Sequence, residues 1–429
     1  MPAHASSTNA PPTRAGWMRL NDLLGVPLWS DYNLWDVPER EVARRLRLPE
    51  ESRTSRMSSY RAYGLGKNKV LGESWYSVAL FCDTAHVTGV SIVFANKGDL
   101  VTLAEHFTES GDRVPEDERA SRRAAALRTY VARIEAAARN VESNLTSLLH
   151  APATQQFGEG NQMTRETVKR WNVKGHAIIL AAPPGEYVAL RIVPAALADA
   201  EGKGQRLSDE EVAERFRSSV SRRANGDVII KDIPMIDQGP KGYCVPATWA
   251  RYCLYAGIPA DLYLFGMTAE TTSSGSHMDT MAQNVDRLVS QHNRRIRTEN
   301  RRALIKYLDG YIDSGVPLII AISCDDEFYH DQLTERAGAR RNVADMKSWA
   351  ASLQQYRLAA KKLPARAPVS IGDAGLPVRM GHACMVIGYN KATREIALSD
   401  SWGAMYEERW LTEEEADAIC MGTMYVIKW

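Results

Sequence analysis

The chain has 429 residues, of which 45% are hydrophobic and 24% are charged, and its formal net charge is +1. This composition is typical of a globular protein with about two domains. A net charge so close to zero gives no electrostatic reason to expect a nucleic-acid partner. No apolar run approaches the roughly 18 residues that a membrane helix needs.

The N-terminal segment MPAHASSTNAPPTRAG (1–16) is small and polar, so we predict a disordered tail without the apolar core of a signal peptide. Two compartments stay open: the protein is intracellular, or it is exported and its leader lies outside this sequence. The six cysteines are sparse and form no CxxC pair, which argues against a zinc knuckle and against a disulfide scaffold. We expect neither a metal nor a cofactor, and the sequence leaves the oligomeric state open.

Residues 17–199 are predicted to form an N-terminal α+β domain. A short helix begins at the proline of VPEREVARRLRL (37–48). Two hairpins are indicated by SWYSVALF (74–81) with VTGVSIVFA (87–95), and by HAIILAA (176–182) with YVALRIVP (187–194). Between the hairpins, residues 118–150 predict a long amphipathic helix that packs on the sheet; its apolar stripe comprises Leu127, Tyr130, Val131, Ile134, Ala138, Val141, Leu145 and Leu148.

Residues 200–226 are predicted to be a helical linker, because the segment is highly charged and has glycines at both ends. Ser208 and Glu211 form a capping-box pattern at the start of its helix. The second domain, 227–429, begins with predicted helices and ends with predicted strands. We expect helices at 244–256, 278–291 and 300–314, a strand at 316–323, a polar helical insert at about 325–365, and strands at 382–389, 395–400 and 424–429.

Cys244 is the first candidate for a catalytic residue, in the segment DQGPKGYCVPATWARY (237–252). Proline is tolerated in a helix only in the first turn, so Pro246 predicts that Cys244 is the N-cap or the first helical residue. There the helix dipole stabilises a thiolate, which is the reactive form of cysteine. The preceding GPKG, which includes Gly242, would allow backbone N–H groups to point at a substrate.

His382 and Asp400 are the candidates for its partners. His382 opens the strand HACMVIGY, and Asp400 ends the strand EIALSD. If these strands pair through the turn NKATR, the two side chains meet at one end of the hairpin. His382 would then take the thiol proton, and Asp400 would orient the imidazole and stabilise its positive charge.

The three segments QGPKGYCVPAT, GHACMVIGYN and LSDSWG resemble the papain-like cysteine peptidase superfamily, in particular its bacterial C39-like branch. The resemblance covers roughly residues 230–429 and does not extend to the first half. It implies an antiparallel sheet beside a helical part that carries the cysteine, and hydrolysis of a peptide or isopeptide bond. The papain signature CGSCW is replaced by GYCVPAT, and the insert at 325–365, which could be a lid, is absent from a minimal papain core.

The resemblance also implies roles for individual residues. Gln238, six positions before Cys244, matches the family's oxyanion glutamine, whose amide would act together with the Cys244 N–H. Asp400 stands where plant-type relatives have asparagine, as in the C39-like branch. Trp402 would cover the contact between His382 and Asp400, and we list Trp402 and Gly242 as candidates for substrate contacts.

Three functions remain open at this point. The first is a cysteine peptidase acting on a peptide or protein substrate. The second is a deamidase or acyltransferase that uses the same triad, and the third is a binding protein without turnover on the same fold. The N-terminal domain would be either an inhibitory or chaperoning pro-region, or a domain that recognises a partner.

Overall fold

The computed structural model describes residues 18–30, 33–64, 69–99, 115–159, 165–239, 242–271, 275–362 and 380–428, except residues 19 and 23. The tail predicted at 1–16 lies outside these ranges. Within them, helices combine with two large antiparallel sheets, as the α+β prediction requires. None of the described helices has both the length and the apolar character of a membrane span.

The described part of the first half contains ten strands: β1 (Glu50–Arg53), β2 (Ser58–Tyr63), β3 (Lys69–Val70), β4 (Glu73–Ser74), β5 (Ser77–Cys82), β6 (Val87–Asn96), β7 (Ala153–Phe157), β8 (Glu166–Val173), β9 (His176–Ala181) and β10 (Tyr187–Pro194). Eight form one sheet in the order β1-β2-β5-β6-β10-β9-β8-β7, while β3 pairs with β4. The two predicted hairpins, β5–β6 and β9–β10, are confirmed. Pairing of β6 with β10 joins them into one sheet, which is larger than predicted.

The described helices of the first half are Glu39–Leu46, Glu116–Leu149 and Ala195–Asp199, with short 3-10 turns at Leu34–Asp36 and Lys97–Asp99. The long helix is confirmed, and Ile134, Val141 and Leu145 of its predicted stripe are buried. Leu127 and Leu148 were expected on the same buried face but are 38% and 44% exposed. A helix of this length spans about 50 Å, so its ends extend beyond the sheet on which its middle packs.

The first sheet is covered on both faces. In β9, Ile178 and Leu180 belong to a core with the long helix, whereas Ala177, Ile179 and Ala181 belong to a core with the second half of the chain. This alternation follows from the two-residue period of a strand. A strand that is buried on both faces reads as a continuous apolar run, as in the sequence HAIILA.

The second half contains the described strands β11 (Val220–Arg222), β12 (Asp227–Ile230), β13 (Arg295–Asn300), β14 (Leu318–Cys324), β15 (Met380–Asn390), β16 (Glu395–Ser399), β17 (Arg409–Thr412) and β18 (Cys420–Lys428). They form a sheet in the order β11-β12-β15-β14-β18-β13, and β16 joins β15 to β17. The predicted strands are therefore present. The sequence analysis did not predict β11, β12, β13 or β17, and β11 lies within the segment that was predicted to be a helical linker.

The described helices of the second half are Asp209–Ser218, Cys244–Tyr255, Leu262–Thr268, Met278–Ser290, Ile305–Asp313, Leu333–Arg341, Met346–Ser352, Gln354–Ala360 and Glu413–Ile419, with a π-helical segment at Asp326–Gln332 and a 3-10 turn at Ala404–Tyr406. The capping box at Ser208 is confirmed. The segment predicted as a linker is packed against the second half: the ring of Phe216 stacks on Tyr255 at 4.6 Å, and β11 pairs with β12.

The polar insert predicted at 325–365 is helical as far as the structure describes it. It is fastened by buried ion pairs: Arg336 binds both carboxylate oxygens of Glu415, and Arg340 binds Asp227 and Glu395. Removing one partner of such a pair leaves an uncompensated buried charge, which costs about 3–5 kcal/mol. The described part of the insert is thus held to the second half by buried charges, and its role as a lid stays a prediction.

Candidate active site

Cys244 is the first residue of the helix Cys244–Tyr255, and Pro246 lies in the first turn, as predicted. The cysteine is only 8% exposed. The preceding residue, Tyr243, donates its hydroxyl hydrogen bond to Asn96 Oδ1 of the first half at 3.0 Å. The thiol therefore lies at a helix N-terminus, where free backbone N–H groups favour a negative charge.

His382 lies in β15, and Asp400 directly follows β16, the strand that pairs with β15. The hairpin brings them together: His382 Nε2 donates to Asp400 Oδ1 at 2.7 Å. Burial alone would lower the pKa of the imidazole, but its hydrogen bonds with Asp400 and Cys244 outweigh burial and raise this pKa to about 9. Because Nε2 is committed to Asp400, Nδ1 is the ring nitrogen left for the thiol.

The Cys244 thiol and the His382 imidazole shift each other's pKa. Burial acts to raise the pKa of the thiol, but the hydrogen bond and the positive charge of His382 outweigh burial, so this pKa lies below its ordinary value. Backbone groups of Ala383 and Val245 act in the same direction. A lowered thiol pKa beside a raised imidazole pKa favours the ion pair of thiolate and imidazolium.

Asp400 is fully buried and uses both oxygens. Oδ1 accepts from His382 and from the Tyr329 hydroxyl, each at 2.7 Å, and Oδ2 accepts from Arg409 Nε at 3.0 Å and Nη2 at 2.7 Å. Burial would raise the pKa of this carboxyl, but the Arg409 charge and these hydrogen bonds hold it well below its usual range. Asp400 is therefore an anion that four hydrogen bonds fix in place.

The Trp402 ring covers the imidazole. Its centroid lies 4.3 Å from that of His382 at an interplanar angle of 29°, which is a stacked arrangement. Tyr329 contacts the edge of the same indole at 5.8 Å. The structure thus places Trp402 over His382; that it shields the bond to Asp400 from water, or contacts the substrate, stays a prediction.

Gln238 lies beside the segment that follows Asp400. Its backbone N–H donates to the Ser401 carbonyl at 2.8 Å, and the residue is 9% exposed. At the other end of this loop, the Gly242 carbonyl accepts from the Ser276 hydroxyl at 3.4 Å. The loop before Cys244 is therefore held at both of its ends.

Arg251 links the three segments of the site, and the sequence analysis did not identify it. It lies in the cysteine helix with no exposed surface. Its guanidinium donates to the carbonyl of Pro234, ahead of the Gln238 loop, and to Ser399 and Ser401 on either side of Asp400. Burial among these neutral oxygens lowers the pKa of Arg251 to about 10.

The first half of the chain contacts the Gln238 loop. The Tyr63 hydroxyl donates to the Asp237 carbonyl at 2.5 Å, and the Tyr63 ring packs against Gly239. Gly239 has a φ of +74°, and a Cβ there would lie 2.8 Å from that ring. The Asp237 N–H donates to the Glu51 carboxylate at 2.8 Å.

The other missed neighbours, Tyr329 and Arg409, carry no recognisable signal in the sequence. Tyr329 lies in the insert, which has no counterpart in the resembled family's core, and Arg409 opens the unpredicted strand β17. Among the described residues, no group of three or more His, Cys, Asp or Glu side chains is placed to hold a metal ion.

A scan against protein-family models found no match, and neither did a search of curated proteins. The solved structures that are similar to part of this chain include two peptidases. The peptidase domain of Streptococcus ComA, a bifunctional ABC transporter of a quorum-sensing pathway, is 11% identical and has a TM-score of 0.27, covering 45% of this chain and 96% of its own. Xylellain, a cysteine protease from Xylella fastidiosa, is 13% identical and has a TM-score of 0.29, covering 53% of this chain and 90% of its own. Similarities this low do not establish a shared fold.

Proposed function

We propose that this chain is a cysteine peptidase whose second half is papain-like, with Cys244 as nucleophile, His382 as general base and acid, and Asp400 as the residue that orients His382. One observation carries the proposal: a thiol at a helix N-terminus interacts with an imidazole that a buried carboxylate holds from the other side. Activation of a nucleophile requires this set of contacts.

In the proposed reaction, the thiolate of Cys244 attacks the carbonyl carbon of a peptide or isopeptide bond. The imidazolium of His382 then gives its proton to the leaving amine. Water, deprotonated by His382, hydrolyses the thioester and restores the thiol. Asp400 remains an anion throughout and keeps Nδ1 of the imidazole directed at the reacting atoms.

The oxyanion of each tetrahedral intermediate would be held by the Cys244 N–H and the Gln238 side-chain amide. The position of Cys244 at the start of its helix supports the first donor, because the first N–H groups of a helix have no intrahelical partner. The backbone hydrogen bond from Gln238 to Ser401 supports the second, since it fixes the glutamine beside the residue after Asp400. Removing one such donor typically slows an enzyme by about 100- to 1,000-fold.

The proposal is tested by labelling the protein with iodoacetamide near neutral pH and locating the label by mass spectrometry. We expect rapid labelling of Cys244 that is lost in Cys244→Ala. Cys253→Ala is the matched control, because Cys253 lies in the same helix but is fully buried and burial raises its pKa. If Cys244 labels no faster than an unfolded cysteine, the nucleophile is assigned wrongly.

Product analysis on a peptide library then separates the possible reactions. Cleaved peptides that depend on Cys244 support a peptidase. A change of a glutamine amide to a carboxylate, without cleavage, would replace the peptidase by a deamidase that uses the same residues. A reactive Cys244 that produces neither product would favour a protein that binds without turnover.

A further inference from the structure

We propose that Arg409 is a positioning residue of this site, which acts through Asp400 by neutralising its charge and fixing which oxygen faces His382. The inference rests on the proposed function. Arg409 and Asp400 have no exposed side-chain surface, and two guanidinium nitrogens bind the same oxygen, Oδ2. The other oxygen, Oδ1, is left for His382 and Tyr329.

Arg409 is itself held on several sides. Its Nη1 donates to the Tyr329 carbonyl at 2.5 Å and to the Thr334 hydroxyl at 3.3 Å. The guanidinium carbon lies 4.3 Å from the centre of the Tyr329 ring and 5.3 Å from that of Trp402. A planar guanidinium bound in this manner leaves Asp400 little freedom to rotate.

The net charge of the Asp400–Arg409 pair determines its electrostatic effect on His382. An isolated carboxylate in the protein interior would stabilise the imidazolium strongly and would oppose the thiolate of Cys244. With Arg409 attached, Asp400 still accepts the hydrogen bond, but the net charge of the pair is zero. The electrostatic effect of the Asp400–Arg409 pair on His382 is therefore closer to that of a neutral asparagine, as in plant-type papain-like peptidases, than to that of a free aspartate.

Other ionisable groups also face this pair. The cysteine helix contributes Arg251, the insert contributes Tyr329, the 3-10 turn contributes Tyr406, and β15 contributes His382 and Cys384. Arg251 donates to the serines on both sides of Asp400 and not to its carboxylate. Of the two arginines, Arg409 is thus the one that hydrogen-bonds Asp400 directly.

Asp400→Asn tests the geometry. The asparagine oxygen would turn to the two N–H groups of Arg409, which places its NH2 group against His382 and excludes the imidazolium. We expect kcat/KM to fall about a thousandfold or more, as when a triad aspartate is replaced and the histidine has the wrong tautomer. In the double variant Asp400→Asn/Arg409→Met, the asparagine can turn its oxygen to His382, so activity should recover at least about tenfold over Asp400→Asn.

Arg409→Met tests the charge. Loss of a neighbouring cation opposes deprotonation of both the thiol and the imidazolium, so both limbs of the pH profile of iodoacetamide labelling should move to higher pH. We expect kcat to fall about tenfold to a hundredfold, the size typical of a residue that orients a reacting group, with little change in KM. Arg409→Lys keeps the charge without the paired hydrogen bonds, so its profile should stay near that of the wild type.

The matched control is Arg336→Met, which removes a buried arginine that also binds a carboxylate, Glu415, through two hydrogen bonds. It should lower stability without moving the pH profile. A double variant no more active than Asp400→Asn, or an Arg409→Met profile that coincides with the wild type, overturns the role of Arg409. Both outcomes are interpreted only if Cys244 of the wild type labels rapidly with iodoacetamide. Slow labelling of the wild type would instead contradict the proposed function itself. Should Arg409→Met not fold, the double variant still decides, because it leaves no buried charge without a partner.

Discussion

The two halves of the chain each bury a histidine in an antiparallel strand, and the two imidazoles differ in their protonation. His176 opens β9 in the first half and has no exposed surface, while His382 lies in β15 and is 6% exposed. Burial acts on both in the same direction, because it disfavours the charged ring. Yet the pKa of His176 is lowered to about 4, and that of His382 is raised to about 9.

The difference comes from the atoms that face the Nε2 nitrogen. In His176, Nε2 accepts hydrogen bonds from the Trp29 indole at 3.1 Å and from the Leu34 N–H at 3.3 Å, so a proton on Nε2 would displace both. In His382, Nε2 donates to a carboxylate. Equal burial thus gives a neutral structural histidine in one half and a candidate base in the other, depending on whether donors or an anion face the ring.

The largest expected effect on this difference between the two histidines is that of the substitution Asp400→Ala. His382 would lose the carboxylate and keep its burial, so its pKa should fall from its raised value. We expect kcat/KM to fall about a thousandfold or more, and the stranded Arg409 to cost about 3–5 kcal/mol of stability. NMR titration of the histidine rings, together with enzyme kinetics, measures both.

Glu415→Ala is the control for Asp400→Ala, because it strands the buried Arg336 without touching His382. Stability should fall by a similar amount, while the pKa of His382 stays near its wild-type value. If His382 in Asp400→Ala still titrated near pH 9, a group other than Asp400 would be responsible for the raised pKa.

The second prediction concerns His176 and the pH dependence of folding. The unfolded chain protonates this histidine below about pH 6.5, whereas the folded chain does so only near pH 4. Between these values the unfolded state binds more protons, so the free energy of unfolding should fall as the pH falls, by about 3 kcal/mol in total. Denaturant unfolding at several pH values measures this loss.

His176→Gln keeps an acceptor for Trp29 and Leu34 but does not titrate. Its unfolding free energy should therefore depend less on pH than that of the wild type in the window from about pH 6.5 to 4. An unchanged slope would mean that the pKa of His176 is not lowered in the folded protein.

The sequence predicted the parts of the site that local patterns encode. Pro246 located the start of the cysteine helix, and the turn 390–394 predicted the hairpin that joins His382 to Asp400. Both depend on interactions within a few residues or between adjacent strands. The two hairpins of the first half were predictable for the same reason. Each of their strands has a sequence that is either continuously apolar or alternately apolar and polar over the length of a strand.

What the sequence did not predict depends on contacts between distant segments. β13 reads RIRTEN, and a strand so polar carries no apolar pattern. Arg409 and Tyr329 reach Asp400 only after β17 and the insert have packed, and a buried arginine looks like a surface arginine until its partner is known. The joining of two hairpins by β6 and β10 is equally a property of the tertiary fold.

The smallest predicted effect tests whether the first half supports the site of the second. Tyr63 bonds the Asp237 carbonyl next to Gln238, so Tyr63→Phe would loosen the loop that carries the proposed oxyanion donor. Losing a whole donor costs about 100-fold or more, so loosening one should cost about tenfold or less, in kcat more than in KM. One hydrogen bond lost should also lower stability by about 1 kcal/mol.

Tyr60→Phe is the control for Tyr63→Phe on the same strand, because the Tyr60 hydroxyl contacts Arg53 and Glu39 within the first half. It should lose a similar amount of stability and keep the wild-type kcat. If the two variants have equal kcat, the contact between Tyr63 and Asp237 stabilises the packing of the two halves but does not affect catalysis. The environments of His176 and His382 are then independent of each other. If only Tyr63→Phe has a lower kcat, the first half supports catalysis by the second. That result would argue against a pro-region that is removed from the active protein.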